Sequence, residues 1–94
     1  MLLEITKLNI KNEGFKRDIS LVEMYVNTRS IVSVSDYAGA QPFLEEEGSS
    51  LSAEPFCLLR VNNGSHYEDI IVKGTAAMIS DRIASNTKKG LING

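Results

Sequence analysis

Residues 56–73 read FCLLRVNNGSHYEDIIVK, and this stretch decides the fold. Two apolar runs flank Asn62-Asn63-Gly64. An Asn-Gly pair supplies the positive φ of a type I′ turn, whose twist matches that of paired strands, so the stretch predicts a β-hairpin. With Asn63-Gly64 as a two-residue loop, Cys57 faces Ile70, Arg60 faces Tyr67 and Val61 faces His66. Leu58 then faces Asp69, an apolar side chain against a charge. A three-residue loop shifts the register, and the sequence leaves the choice open.

On the C-terminal side, Gly74-Thr75 introduces a helix predicted over 75–85. Thr75 can cap it, although Met78 denies it a capping box. Ala76, Ile79 and Ile83 form an apolar stripe, with Ser80, Asp81 and Arg82 on the outer face. Asn86 suits the C-cap, Lys88 and Lys89 lie past the last turn, and 91–94 should fray. On the N-terminal side, residues 2–10 read as a strand closed by Asn12-Glu13-Gly14, although Leu2, Ile5, Leu8 and Ile10 follow no single period. Residues 19–26 alternate imperfectly. Residues 31–37 alternate cleanly, with Val32 and Val34 against Ser33 and Ser35. Residues 38–55 hold both prolines, two glycines and the run Glu45-Glu46-Glu47, and read as a long loop or excursion with room for one helical turn.

The order strand, strand, strand, excursion, hairpin, helix predicts a single α+β domain over 1–94. It would be a small, mostly antiparallel β-sheet with an N-G hairpin and one C-terminal α-helix packed on one face. At 94 residues and 10.3 kDa there is room for one domain with a modest core. An exposed sheet edge in so small a protein calls for a cover, and self-pairing in a homo-oligomer is one.

Composition narrows function. A net charge of −2 lacks the chain-wide basic footprint of a non-specific nucleic-acid binder. One cysteine excludes an intrachain disulfide and a CxxC pair, and one histidine excludes HExxH and a C2H2 finger. No apolar run approaches the ~18 residues of a membrane span, and the first residues, MLLEITK, do not read as a signal peptide. These features lead to the expectation of a cytoplasmic protein.

Ile5-Thr6-Lys7-Leu8-Asn9, Val26-Asn27-Thr28-Arg29-Ser30-Ile31, the strand-turn-strand from Leu59 to Tyr67, and Val72-Lys73-Gly74-Thr75 together resemble the layout of short FlbD-like flagellar and swarming proteins. The chain is similar in the same way to small bacteriophage proteins. It departs from that layout at 38–55 and 10–22. The resemblance implies a strand–hairpin–helix fold and a non-catalytic part, and it carries over no functional residues.

Candidate chemistry is sparse. Cys57 and His66 could form a thiol–imidazole pair, but hairpin pairing separates them along the strands, and Cys57 reads as a small buried apolar residue. Glu45, Glu46 and Glu47 could join Asp36 or Glu54 around a cation, yet their spacing is not that of an EF-hand. There is no glycine-rich phosphate loop, and the helix start at Gly74-Thr75 offers only generic N–H groups. Lys7, Lys11, Lys16 and Arg17, with Phe15 for stacking, could form a local basic patch. The reading expects no catalytic residues, no metal and no cofactor. It expects a small non-catalytic protein-interaction or regulatory module of bacterial or bacteriophage type, not an enzyme. The partner would be another protein, bound by Phe43, Leu44, Glu45, Glu46 and Glu47 on the excursion, an apolar pair before a run of acids. The alternatives are a nucleic-acid-associated regulator using the basic cluster at 7–17, and a small-ligand-binding oligomer.

Overall fold

A computed structural model describes residues 1–93, with the backbone alone at 13, 16, 17 and 86–93. Five strands form one antiparallel sheet: β1 (Leu2–Glu13), β2 (Lys16–Asn27), β3 (Ile31–Asp36), β4 (Phe56–Asn62) and β5 (Tyr67–Lys73). Their order across the sheet is β2-β1-β5-β4-β3. Two helices complete the chain, α1 (Gln41–Glu46) and α2 (Ala76–Asn93). The protein is therefore an α+β fold with a C-terminal helix, as its element order implies.

The irregular apolar spacing of the first two strands has a simple cause. Side chains alternate between the faces of a strand, and β1 buries a different face at each end. Leu3 and Ile5 enter the core that holds Cys57, Leu59, Val61, Ile70, Val72 and Ile79. Leu8 enters a second core with Ala40, Leu44 and Phe56, with Ile10 packed against it. The step from odd to even numbers is the step from one face to the other. β2 follows in register: Met24 and Val26 lie opposite Ile5 and Leu3, while Leu21 and Ile19 lie opposite Leu8 and Ile10. The helix α2 covers the first face, and the segment carrying α1 covers part of the second.

The β4–β5 hairpin takes neither register considered from sequence. Cys57 faces Val72, Leu58 faces Ile71 and Arg60 faces Asp69. Asn63 N–H donates to His66 O at 3.1 Å across a tight turn centred on Gly64 and Ser65. Gly64 has φ 104°, and no described non-glycine residue has positive φ. Asn63 is therefore not a turn-centre residue, and the turn needs glycine only at its first central position, as in type II′ rather than I′. The reason lies in the pairs. A shift of two residues keeps every side chain on its face but replaces Leu58 against Asp69 with Leu58 against Ile71. It also brings Arg60 Nε to 2.9 Å from Asp69 Oδ1 and Nη2 to 3.2 Å from Oδ2. That fork holds the Asp69 carboxyl below its usual range, the hydrogen bond from Arg60 being the largest cause. Both side chains stand in solvent, so the pair selects register more than it adds stability. At the other hairpin, Gly14 with φ 60° plays the same part beside Phe15.

Residues 38–55 are not a passive loop. Pro42 opens α1, Leu44 has 0% exposure, and Ala40 and Phe56 are buried with it. A 3-10 turn at Ser50–Ala53 follows, capped by the Ser49 side chain accepting from Leu51 N–H. Phe43 and Leu51 pack against this core without being fully buried. The segment is a small lid on the second face of the sheet. Its composition hides this, because one leucine and one alanine among polar residues suffice to fill the gap over Leu8 and Phe56.

α2 begins at two caps. Ala76 N–H donates to Asp36 Oδ1 at 2.8 Å, and Met78 N–H donates to Thr75 Oγ1 at 3.1 Å. Ile79 is buried and Ile83 packs half-buried beside it. Arg82 donates to the Glu4 carbonyl, tying the helix to β1. The assigned helix continues past the expected end at 85. The roles expected for Asn86, Lys88, Lys89 and 91–94 fall outside the residues whose side chains are described.

Candidate functional site

The expected binding segment is split by the fold. Leu44 lies in the core and cannot anchor a partner, and Phe43 is half-buried against the same core. Glu45, Glu46 and Glu47 stay exposed on and just after α1. An apolar residue before an acidic run is what a short amphipathic helix needs to hold itself to a sheet. That use of Leu44 competed with docking, and it prevailed.

The other candidates disperse. Cys57 is buried on β4, while His66 stands exposed at the hairpin turn, about 20 Å away along the strand at ~3.3 Å per residue. Asn63 Nδ2 lies 3.1 Å from His66 Nε2, and Ser65 Oγ lies 3.1 Å from Nδ1. The side chains of Asn63 and Ser65 thus hold the two ring nitrogens from either side of the turn. This triad closes a turn rather than building a nucleophile. Burial, and then the charge of Asp36, push the Cys57 thiol up. We expect Cys57 to resist iodoacetamide in the native chain and to react only as the chain unfolds. Rapid stoichiometric labelling under native conditions would place the thiol at the surface.

Asp36 caps α2 rather than joining the glutamates, and among the described residues no group of three or more His, Cys, Asp or Glu side chains could hold a metal ion. The same cap takes an N–H group that an anion at the helix start would need. Lys7 and Lys11 fall on odd positions of β1 and so on one face. The side chains of Lys16 and Arg17 lie outside those described.

A different surface emerges on the β1–β2 hairpin. Lys11, Asn12, Gly14, Phe15 and Asp18 are all exposed, so the end of the hairpin stands clear of both cores. Phe15 sits at the tip, fully exposed. Along the hairpin Leu2, Leu21, Val22 and Tyr25 are also exposed, Tyr25 at 64%. Between the base of the hairpin and α2 lies an open groove of about 460 Å³, lined by Leu2, Leu3, Glu4, Tyr25, Asp81, Arg82 and Ser85. Tyr25 Oη reaches Glu4 Oε2 at 3.4 Å across it. The sequence signal for this surface was Phe15 beside Gly14, a large aromatic in a turn. The exposed apolar residues of β2 gave no such signal, because a strand pattern does not reveal which strand is an edge.

Among the described residues no helix is long and apolar enough to cross a membrane. No family model, curated protein or solved structure matches the chain.

Proposed function

We propose that the protein is a non-catalytic protein-binding module that engages its partners through the β1–β2 hairpin. The observation that carries this reading is the concentration of exposed apolar side chains there, with Phe15 at a tip that touches neither core. Single exposed apolar residues are ordinary on protein surfaces. A run of them on one projecting element, ending in an aromatic, is the kind of surface that a partner's pocket desolvates.

The test is affinity capture with the full chain as bait. Phe15→Ser with Tyr25→Ser changes only exposed positions, so stability should move by about 0.5 kcal/mol or less. Partner recovery should fall at least tenfold. A second bait with Glu45→Lys, Glu46→Lys and Glu47→Lys should keep its partners. If the hairpin bait retains every partner and the α1 bait loses them, binding belongs to the acidic face of α1 and this reading is wrong.

A further inference from the structure

The β4–β5 turn gathers three polar contacts around one asparagine that precedes a glycine. Gly64 N–H donates to Asn62 Oδ1 at 2.9 Å. His66 N–H donates to Asn63 Oδ1 at 3.4 Å, which orients the side-chain amide with its nitrogen toward the imidazole. Asn63 Nδ2 then lies 3.1 Å from His66 Nε2. Asn62, Asn63, Gly64 and His66 are all exposed, so water reaches the turn.

An asparagine side chain carries an electrophilic carbon that the next peptide nitrogen can reach by closing a five-membered ring. The two groups belong to one chain, so no second molecule has to be gathered for the attack. A side chain on the residue that supplies the nitrogen would crowd it. Glycine carries none, and a Cβ at position 64 would meet nothing within 4 Å. The obstacle is proton traffic, because a peptide N–H is a weak acid and an amide nitrogen leaves only after it gains a proton. Here the attacking N–H already has an acceptor in Asn62. The leaving nitrogen stands within the ~2.6–3.2 Å reach of a group that transfers protons near neutral pH.

We propose that Asn63 is a self-modification site, at which the folded turn converts the asparagine to aspartate and isoaspartate with His66 passing the proton. Gly64 N bonds to Asn63 Cγ and gives up its hydrogen to water beside Asn62 Oδ1. The Cγ–Nδ2 bond breaks, and Nδ2 leaves as ammonia on receiving a proton relayed from water through His66 Nε2. A water molecule then opens the cyclic imide. Opening at Cγ leaves aspartate on the original backbone. Opening at the main-chain carbonyl leaves isoaspartate, whose backbone runs through Cβ and Cγ and is one carbon longer. One water is consumed, one ammonia is released, and nothing is oxidised or reduced. Either product adds a negative charge to a chain of net charge −2. The longer product also stretches the loop that Asn63 N–H closes on His66 O at 3.1 Å. The reaction occurs once per chain and is independent of binding through the β1–β2 hairpin.

The test is peptide mapping of the full chain by mass spectrometry after timed incubation at neutral pH. The peptide holding position 63 should gain one mass unit and separate into aspartyl and isoaspartyl forms. A second Asn-Gly pair, Asn93-Gly94, serves as a clock within the same sample. His66→Ala and His66→Gln should each slow conversion at 63 by about tenfold or more, short of the ~100-fold of an enclosed proton donor because this turn stands in water. The clock at 93 should keep its rate. Glutamine keeps a polar side chain at the turn, so a slowing shared by both variants reports lost proton transfer. Position 66 is exposed, and both variants should keep their circular dichroism. In concentrated urea, wild type and variants should convert Asn63 at one common rate, because the contacts exist only in the folded turn. A native chain that forms no product at 63 overturns the proposal. So do variants that convert as fast as the wild type, and so does a slowing that persists in urea, which would assign the effect to neighbouring sequence rather than to the fold.

Discussion

Leu44→Ala should lower the unfolding free energy by about 2–5 kcal/mol, the usual cost of truncating a fully buried leucine. The residue has 0% exposure between Ala40, Leu8 and Phe56. For a domain whose total stability is about 5–15 kcal/mol, that is a large share. Urea denaturation followed by circular dichroism measures it. Phe43→Ala, at a half-buried position of the same helix, should cost less. Replacing residues 41–53 by a short Gly-Ser linker should cost more than either, because it uncovers Leu8, Phe56 and Ile71 together. A loss below ~0.5 kcal/mol for Leu44→Ala, the range of ordinary surface changes, would mean that the segment is a spacer.

Ile79→Ala carries a similar expected loss, about 2–5 kcal/mol, for a different reason. Ile79 has 2% exposure and, among the described residues, is the buried side chain of α2 within the larger core that holds Leu3, Ile5 and Val72. Among the described residues, removing its branches takes away the buried apolar tie between helix and sheet while the Asp36 and Thr75 caps remain. Ile83→Ala should cost less, since Ile83 only packs at the margin of that core. The ratio of the two losses is the useful measurement. Equal losses would mean that the helix lies flat along the sheet over both turns, and a negligible loss at Ile79 would remove the helix from the core.

The hairpin at 56–73 and the helix after it were legible because their signals are local: a turn glycine, flanking β-branched runs and a capping threonine. The register of that hairpin was not, since it is decided by Arg60 meeting Asp69 and Leu58 meeting Ile71 across the strands. The second core was also hidden. Leu8 and Ile10 looked out of phase with Leu3 and Ile5 because a period argument assumes that a strand buries one face throughout. Leu44 looked available for docking because nothing in a polar segment shows that a sheet face waits beneath it. The exposed residues of β2 could be found only once the strand order placed β2 at an edge.

That strand order also has a kinetic meaning. The chain contains two sets of strands that pair with near neighbours in sequence, β1 with β2 and β3 with β4 with β5. They meet along one seam, where Lys7 lies opposite Val72. That contact encloses 64 residues, against the four between Asn62 and Tyr67. The ratio is about four doublings, and at ~0.6 kcal/mol per doubling the seam closes at an entropic cost about 2.4 kcal/mol above the hairpin turn. Isolated hairpins form in about 1–10 μs, whereas contacts distant in sequence slow folding. The speed at which this protein folds is therefore set by the docking of two half-sheets, and Leu3, Ile5 and Val72, which meet in the core across that seam, are where the docking is rewarded.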